Sequence, residues 1–434
     1  MKLFFLRQLL LAMTFVLISA CSIAQINDPS FIIGDALPDA PSLSPRGEYQ
    51  IGVRTLELVH TNQVDILNSK EGVDPMYDRH LKLEVWYPAL IPQNKTALVT
   101  YNSTLGMYKD SSRPLISFTF TGRALRDAAP LKTAGKFPLI IVSHGYVGSR
   151  VLMTYLTENL ASKGYIVVAI DHTESTNSDK GGFQSTLLNR AKDILFVLNQ
   201  VADLAKMDSK NFLAGLADTD NTGLIGYSMG GFGVLNAAGA GYSVKLETAF
   251  EKMTGGSKAI DVRLANNEAF KASQDTRIKA VVAFAPWGMQ LGVWDSTGLL
   301  GLKVPVFFVA GSLDDVSGYK DGTKAIYKGV INANRYLLTY ENARHNIAPN
   351  PPPAASLKAG VAFDDYYHYA EPAWNEYRIN NINQHFVTGF LGIYLKQKDY
   401  DKYLNLPENS NEKTWNGFKP RTSAGLELIH DLPK

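Results

Sequence analysis

From about Phe137 onward, short continuous apolar runs alternate with longer stretches of helical period. The runs are Leu139–Ser143, Ile166–Ile170, Gly223–Gly226, Ile278–Ala285, Val306–Ala310 and Arg335–Tyr340, and helical candidates such as Leu187–Leu204 and Tyr319–Val330 lie between them. A strand that is apolar on both faces must be covered on both, so this rhythm predicts a mostly parallel sheet with helices on either side. Upstream, the segment Leu81–Tyr87 alternates apolar and polar residues and stops at Pro88, which suits an antiparallel strand near a sheet edge. Ile382, Phe386, Phe390 and Ile393 recur at helical spacing and predict a long packing helix near the C-terminus. One stretch, 242–276, interrupts the alternation. Its stripe of Leu246, Ala249, Phe250 and Met253 predicts a short amphipathic helix, either packed on the surface or closing over a cleft as a lid.

The N-terminus has its own pattern. Lys2 and Arg7 precede an uncharged apolar run, Leu9 to Ala20, shorter than the roughly 20 residues of a membrane-spanning helix. It reads as a secretory signal over residues 1–20. The sequence Ile18-Ser19-Ala20-Cys21 resembles the lipobox of bacterial lipoproteins. That resemblance implies cleavage before Cys21, lipidation of its thiol, and a membrane anchor in the bacterial cell envelope. Ser22 at the following position points to the outer membrane by the same resemblance. Residues 22–50 are rich in Pro, Ser, Asp and Gly without a period, so residues 21–75 read as a tether and irregular lead-in, and 76–434 as the folded domain.

Composition narrows the chemistry. Of 434 residues, 45% are hydrophobic and 19% charged, enough for a large core. Lys plus Arg number 43 against 41 Asp plus Glu, a balance that argues against nucleic acid as a partner. The single cysteine, Cys21, excludes an intramolecular disulfide, a cysteine-rich zinc site and CxxC redox chemistry. There is no HExxH motif or ligand-spaced His/carboxylate set, so neither a metal nor another cofactor is expected.

The run Gly226-Tyr227-Ser228-Met229-Gly230 follows a predicted strand and precedes a predicted helix, the context of a nucleophile elbow. So tight a turn leaves no room for side chains two residues either side of the serine, hence Gly226 and Gly230. A serine hydroxyl needs a base, and His345 follows the strand Arg335–Tyr340 across the loop Glu341–Arg344. The acid belongs after the strand Val306–Ala310, where Asp314 and Asp315 are adjacent. Asp314 fits the spacing Gly-x-x-Asp-x-Val, and Asp315 reads as solvated or capping. A tetrahedral intermediate needs N–H donors, assigned to the backbone of Met229 and of Tyr146, the latter after the turn Ser143-His144-Gly145. His144 then braces this loop.

On these motifs the chain resembles the α/β-hydrolase superfamily. The segments PLIIVSHGYVGSR (138–150), IDHTEST (170–176) and GYSMGGFG (226–233) are similar to a bacterial group labelled predicted dienelactone hydrolases and to platelet-activating-factor acetylhydrolases. SHG and GYSMGG together with Ala285-Pro286-Trp287 resemble cutinase-like polyesterases. The resemblance implies an α/β-hydrolase fold with an inserted helical segment, and ester hydrolysis through an acyl-enzyme on Ser228. Dienelactone hydrolases proper use a cysteine nucleophile, which this chain lacks, and the paired C-terminal cysteines of the polyesterases are absent too. General carboxylesterase therefore ranks first, lipid acetylhydrolase second and polyesterase third. A degenerate hydrolase serving as a surface binding module is the alternative outside enzymology. Trp287, at a strand end, is expected to form an aromatic clamp with Tyr146 around the acyl group, or else to pack inward on 242–276.

Overall fold

A computed structural model describes residues 31–434, and 33–434 form one compact unit. The proposed signal peptide and Cys21 lie outside the described residues. The strands are β1 (Ile51–Val64), β2 (Met76–Leu90), β3 (Val99–Leu105), β4 (Ile116–Gly122), β5 (Leu125–Arg126), β6 (Ala129–Pro130), β7 (Phe137–Ser143), β8 (Ile166–Asp171), β9 (Ala217–Tyr227), β10 (Ile278–Phe284), β11 (Val306–Gly311), β12 (Arg335–Tyr340) and β13 (Leu426–Asp431). Eleven of them make one sheet in the order β13-β12-β11-β10-β9-β7-β8-β2-β1-β5, with β6 on β2, while β3 and β4 pair separately. Strands β8, β7, β9, β10, β11 and β12 run parallel, and β13, β2 and β1 add antiparallel neighbours at the flanks.

The continuous apolar runs follow from burial on both faces. Along β7, Leu139 and Ile141 join one core while Ile140 and Val142 join the other; Phe308 and Phe307 divide the same way on β11. The first core is closed by α2 (Phe183–Leu204) and α3 (Met229–Ala237), the second by α1 (Thr154–Ser162) and α6 (Glu376–Lys396). Ile382, Phe386 and Phe390 on α6 are at most 1% exposed, as their spacing predicts.

Three expectations need correction. The lead-in does not extend to residue 75, because Ile51–Val64 forms the 14-residue β1, paired with β2 from Ile51↔Pro88 onward. Irregular composition stops at residue 50. β2 also continues through Pro88 to Leu90; its ladder with β8 ends at Trp86, so the missing proline N–H costs no bond there. Finally, Tyr319–Val330 is not one helix. A turn over Tyr319–Thr323 meets the helix Lys324–Gly329 at Gly322, whose φ and ψ of −110° are not helical.

Within 242–276 the amphipathic helix exists as α4 (Val244–Thr254). Ser243 caps it by accepting the Leu246 N–H, and Gly255 ends it in the left-handed region at φ 65°. Leu246 and Phe250 enter the first core, whereas Met253 is 45% exposed and Ala249 faces solvent.

Candidate active site

Ser228, Asp314 and His345 all stand just past the C-terminal ends of parallel strands, β9, β11 and β12. That is the edge at which open α/β sheets bind ligands. Ser228 occupies the turn between β9 and α3 with φ 53° and ψ −113°, a strained conformation for a side chain-bearing residue. Its surroundings hold it there: Ser228 N–H donates to Phe284 O at 2.9 Å, and its carbonyl accepts from Phe232 and Trp287. The two flanking glycines are sterically required. A Cβ on Gly226 would lie 2.2 Å from Gly230 O, and one on Gly230 only 1.9 Å from Ser143 O.

The structure brings the three predicted side chains together. His345 Nε2 lies 3.0 Å from Ser228 Oγ, and His345 Nδ1 lies 3.0 Å from each Asp314 carboxylate oxygen. Each of the three residues is only 7% exposed. Burial alone would raise the Asp314 pKa. The hydrogen bond and charge of His345, with the N–H groups of Val316 and Ser317 donating to Oδ1, outweigh it and hold the carboxyl below its usual range. Asp315 instead points outward and pairs with Arg344 at 2.5 Å.

A cavity of about 230 Å³ opens beside Ser228, walled by Gly145, Tyr146, Tyr227, Val316, Asn346, Tyr367 and His368, with Arg113 and Asp364. None of 242–276 borders it. That insertion instead contributes Ala265, Phe270, Lys271 and Gln274 to a separate cavity of about 490 Å³, so of its two readings the structure favours packing on the surface over a lid. The cover comes from elsewhere: the loop between β3 and β4 and the short helix α5 (Phe363–Tyr367). They are tied by Arg113 on Asp365 at 2.6 Å and by Gly106 N–H on the same carboxylate oxygen at 3.2 Å. Arg113, His368 and Asn346 carry no sequence signal that singles them out.

Trp287 does not line this cavity. Its ring is held edge-on by Phe183 at 5.2 Å and Phe232 at 6.2 Å, and Phe183 in turn meets Tyr146 at 5.3 Å. In place of the expected clamp there is an aromatic row, Tyr146–Phe183–Trp287, of which Tyr146 borders the cavity. Met229 is the first residue of α3, where backbone N–H groups have no intrahelical acceptor. Tyr146 follows Gly145, which borders the cavity. Among the described residues, Glu247, Glu251 and Asp261 are the acidic group close enough to share an ion, and Lys258 already meets two of those charges.

A serine on a strand–turn–helix elbow, served by His and Asp from later strand ends of a mostly parallel sheet, defines the α/β-hydrolase class. Within it, residues 101–254 match the family described as PETase: PET hydrolase-like. The chain is 23% identical over 225 residues to Cutinase 2 of Thermobifida cellulosilytica (52% of this chain, 66% of the relative). It is 24% identical over 212 residues to Cutinase est1 of Thermobifida alba, covering 49% of this chain and 54% of the relative. Platelet-activating factor acetylhydrolase of Cavia porcellus is 26% identical over 168 residues, 38% of this chain and 37% of that one. The chain thus spans about half to two thirds of the cutinases' own length. The fold matches a ferulic acid esterase from Streptomyces cinnamoneus with a TM-score of 0.57 at 16% identity, covering 90% of this chain and 99% of that one. Over part of its length the chain is thus similar to PETase- and cutinase-like α/β-hydrolases and, more distantly, to platelet-activating factor acetylhydrolase.

Proposed function

We propose that the protein is a serine carboxylic ester hydrolase working through an acyl-enzyme on Ser228. The observation that carries this reading is the position of His345, 3.0 Å from the Ser228 hydroxyl on one side and from Asp314 on the other. His345 Nε2 takes the Ser228 proton as Oγ attacks the ester carbonyl, and returns it to the leaving alcohol. Asp314 accepts the Nδ1–H, so that Nε2 is left free as base, and it stabilises the imidazolium that forms. The carbonyl oxygen, now negative, is met by the backbone N–H groups of Tyr146 and Met229, each worth about 3 kcal/mol at such sites. Water activated by the same histidine then releases the acid.

The cavity supports a short or compact acyl group: at about 230 Å³ it is small, with Arg113, Asn346 and His368 beside Tyr146, Tyr227 and Val316 in its walls. This favours a general carboxylesterase over a long-chain lipid esterase. Polyester cleavage is the second reading, favoured by the similarity to cutinases. We further propose that the mature protein is lipidated on Cys21 and held at the bacterial outer membrane. Mass spectrometry of the mature N-terminus tests that, and an unmodified terminus would count against it. The esterase reading is tested with p-nitrophenyl esters of increasing acyl length beside Ser228→Ala, and with a fluorophosphonate probe. Turnover that survives Ser228→Ala, or a probe adduct on another residue, would overturn it.

A further inference from the structure

The loop that supplies the Tyr146 N–H is held by a set of buried polar contacts. His144 is 2% exposed, and its Nδ1 lies 2.6 Å from the carbonyl oxygen of Gly145. Its Nε2 faces the backbone N–H of His172 at 3.3 Å. A nitrogen facing an N–H must be the bare one, and a nitrogen facing a carbonyl must carry the proton, so the ring is the Nδ1–H tautomer. Burial and the nearby Arg190 and His172 push its pKa well below the usual value, which keeps it in that neutral form.

The consequence lies in the geometry of one peptide. The Gly145–Tyr146 bond is trans. In a trans peptide the C=O and the next N–H point in opposite directions. Holding the Gly145 carbonyl back against His144 therefore turns the Tyr146 N–H the other way. Gly145 itself sits close to the nucleophile: a Cβ placed on it would lie 3.5 Å from Ser228 Cβ. The same ring is locked from behind. Gly148 approaches so closely that a Cβ there would be 2.8 Å from His144 Nδ1. The His144 carbonyl accepts from the buried Arg190 guanidinium at 2.6 Å. His172 donates Nδ1–H to Asp193 at 2.8 Å and meets Ser143 Oγ with Nε2 at 2.9 Å, and Asp193 is clamped by Arg79 Nε at 2.8 Å and NH2 at 2.9 Å. This second Ser-His-Asp row is buried, each member being at most 1% exposed, so it acts as a brace behind the loop.

We propose that His144 is a positioning residue for the oxyanion hole: by holding the Gly145 carbonyl it aims the Tyr146 N–H at the charge that develops on the substrate. The row Arg79–Asp193–His172 keeps that histidine in place. This rests on the esterase reading above, with Ser228 as nucleophile.

The test compares His144→Asn, His144→Gln and His144→Leu, using p-nitrophenyl acetate and a trifluoromethyl ketone that adds to the serine as a tetrahedral mimic. An asparagine amide nitrogen falls near the position of Nδ1, and a glutamine amide nitrogen near that of Nε2. His144→Asn is expected to keep most of the wild-type kcat. His144→Gln and His144→Leu should lose about 10²–10³-fold in kcat with KM close to wild type, the loss typical of one oxyanion donor. The ketone should weaken by the same factor as kcat/KM falls. Should His144→Leu fail to fold, the Asn and Gln pair still decides. Equal losses in Asn and Gln, or losses confined to KM, would overturn the role of His144 alone. Absence of Ser228-dependent turnover in the wild type would overturn the esterase reading and this inference together.

Discussion

At the scale of single residues, the adjacent acids Asp314 and Asp315 have different consequences. Asp314 binds His345 through both oxygens and is further held by two backbone N–H groups, whereas Asp315 pairs with Arg344 at the surface. Asp314→Asn should lower kcat by about 10⁴-fold, since an amide favours the wrong tautomer of the base. Asp315→Asn should leave kcat near wild type, because an exposed pair contributes only about 0–1 kcal/mol to stability. Steady-state kinetics on one ester separates them, and the reverse ranking would move the acid to Asp315. Ser228, His345 and Asp314 were legible because an elbow leaves marks in neighbouring residues: Gly226 and Gly230 are required by contacts under 2.5 Å that any Cβ would make. Arg113 and His368 left no such mark. They reach the cavity from a loop and a five-residue helix whose placement depends on tertiary packing.

Among the elements, the alternation of apolar runs anticipated β7 to β12 because each strand is buried on both faces, and that requirement is local. The destination of an amphipathic helix is not local. The stripe on α4 says that one face is buried, and Leu246 and Phe250 are, but it carries no information about which surface receives them. The cover over Ser228 is built from α5 and the β3–β4 loop. Arg113→Met would leave Asp365, 2% exposed, without its cation. Losing one partner of a buried pair costs about 3–5 kcal/mol, and the partial exposure of Arg113 puts this case at the lower end. A lower Tm and a higher KM with kcat largely kept are the expected results; an unchanged KM would mean that the cover holds without the pair. Trp287→Ala, by contrast, should lower kcat/KM evenly across acyl lengths, because the ring packs against Phe183 and Phe232 and not on the cavity. A loss that grows with acyl length in a p-nitrophenyl ester series would restore Trp287 to the substrate.

For the molecule as a whole, folding keeps several histidines neutral. Burial pushes the His385 pKa down to about 3 and that of His368, beside the cavity, to about 4; His144 and His172 are likewise lowered by burial and by Arg190. In the unfolded chain each would titrate near about 6.5. Below that pH the unfolded state takes up protons that the folded state refuses, so this contribution to stability is complete above about pH 6.5 and is lost as the pH falls. Each proton is worth about 1.4 kcal/mol per pH unit, so well below about pH 6.5 four histidines together approach about 6 kcal/mol per unit, a large part of an ordinary net stability of about 5–15 kcal/mol. The depressed carboxyls of Asp193 and Asp314 add to the loss only at lower pH, where carboxylates begin to titrate in the unfolded chain. Acid unfolding should therefore begin between about pH 6 and 5, ahead of the carboxylates. Calorimetric Tm values from neutral pH down to pH 5 check this, and His385→Asn should flatten the slope by one proton. A Tm that stays level across that interval would show that the buried histidines accept protons within the fold.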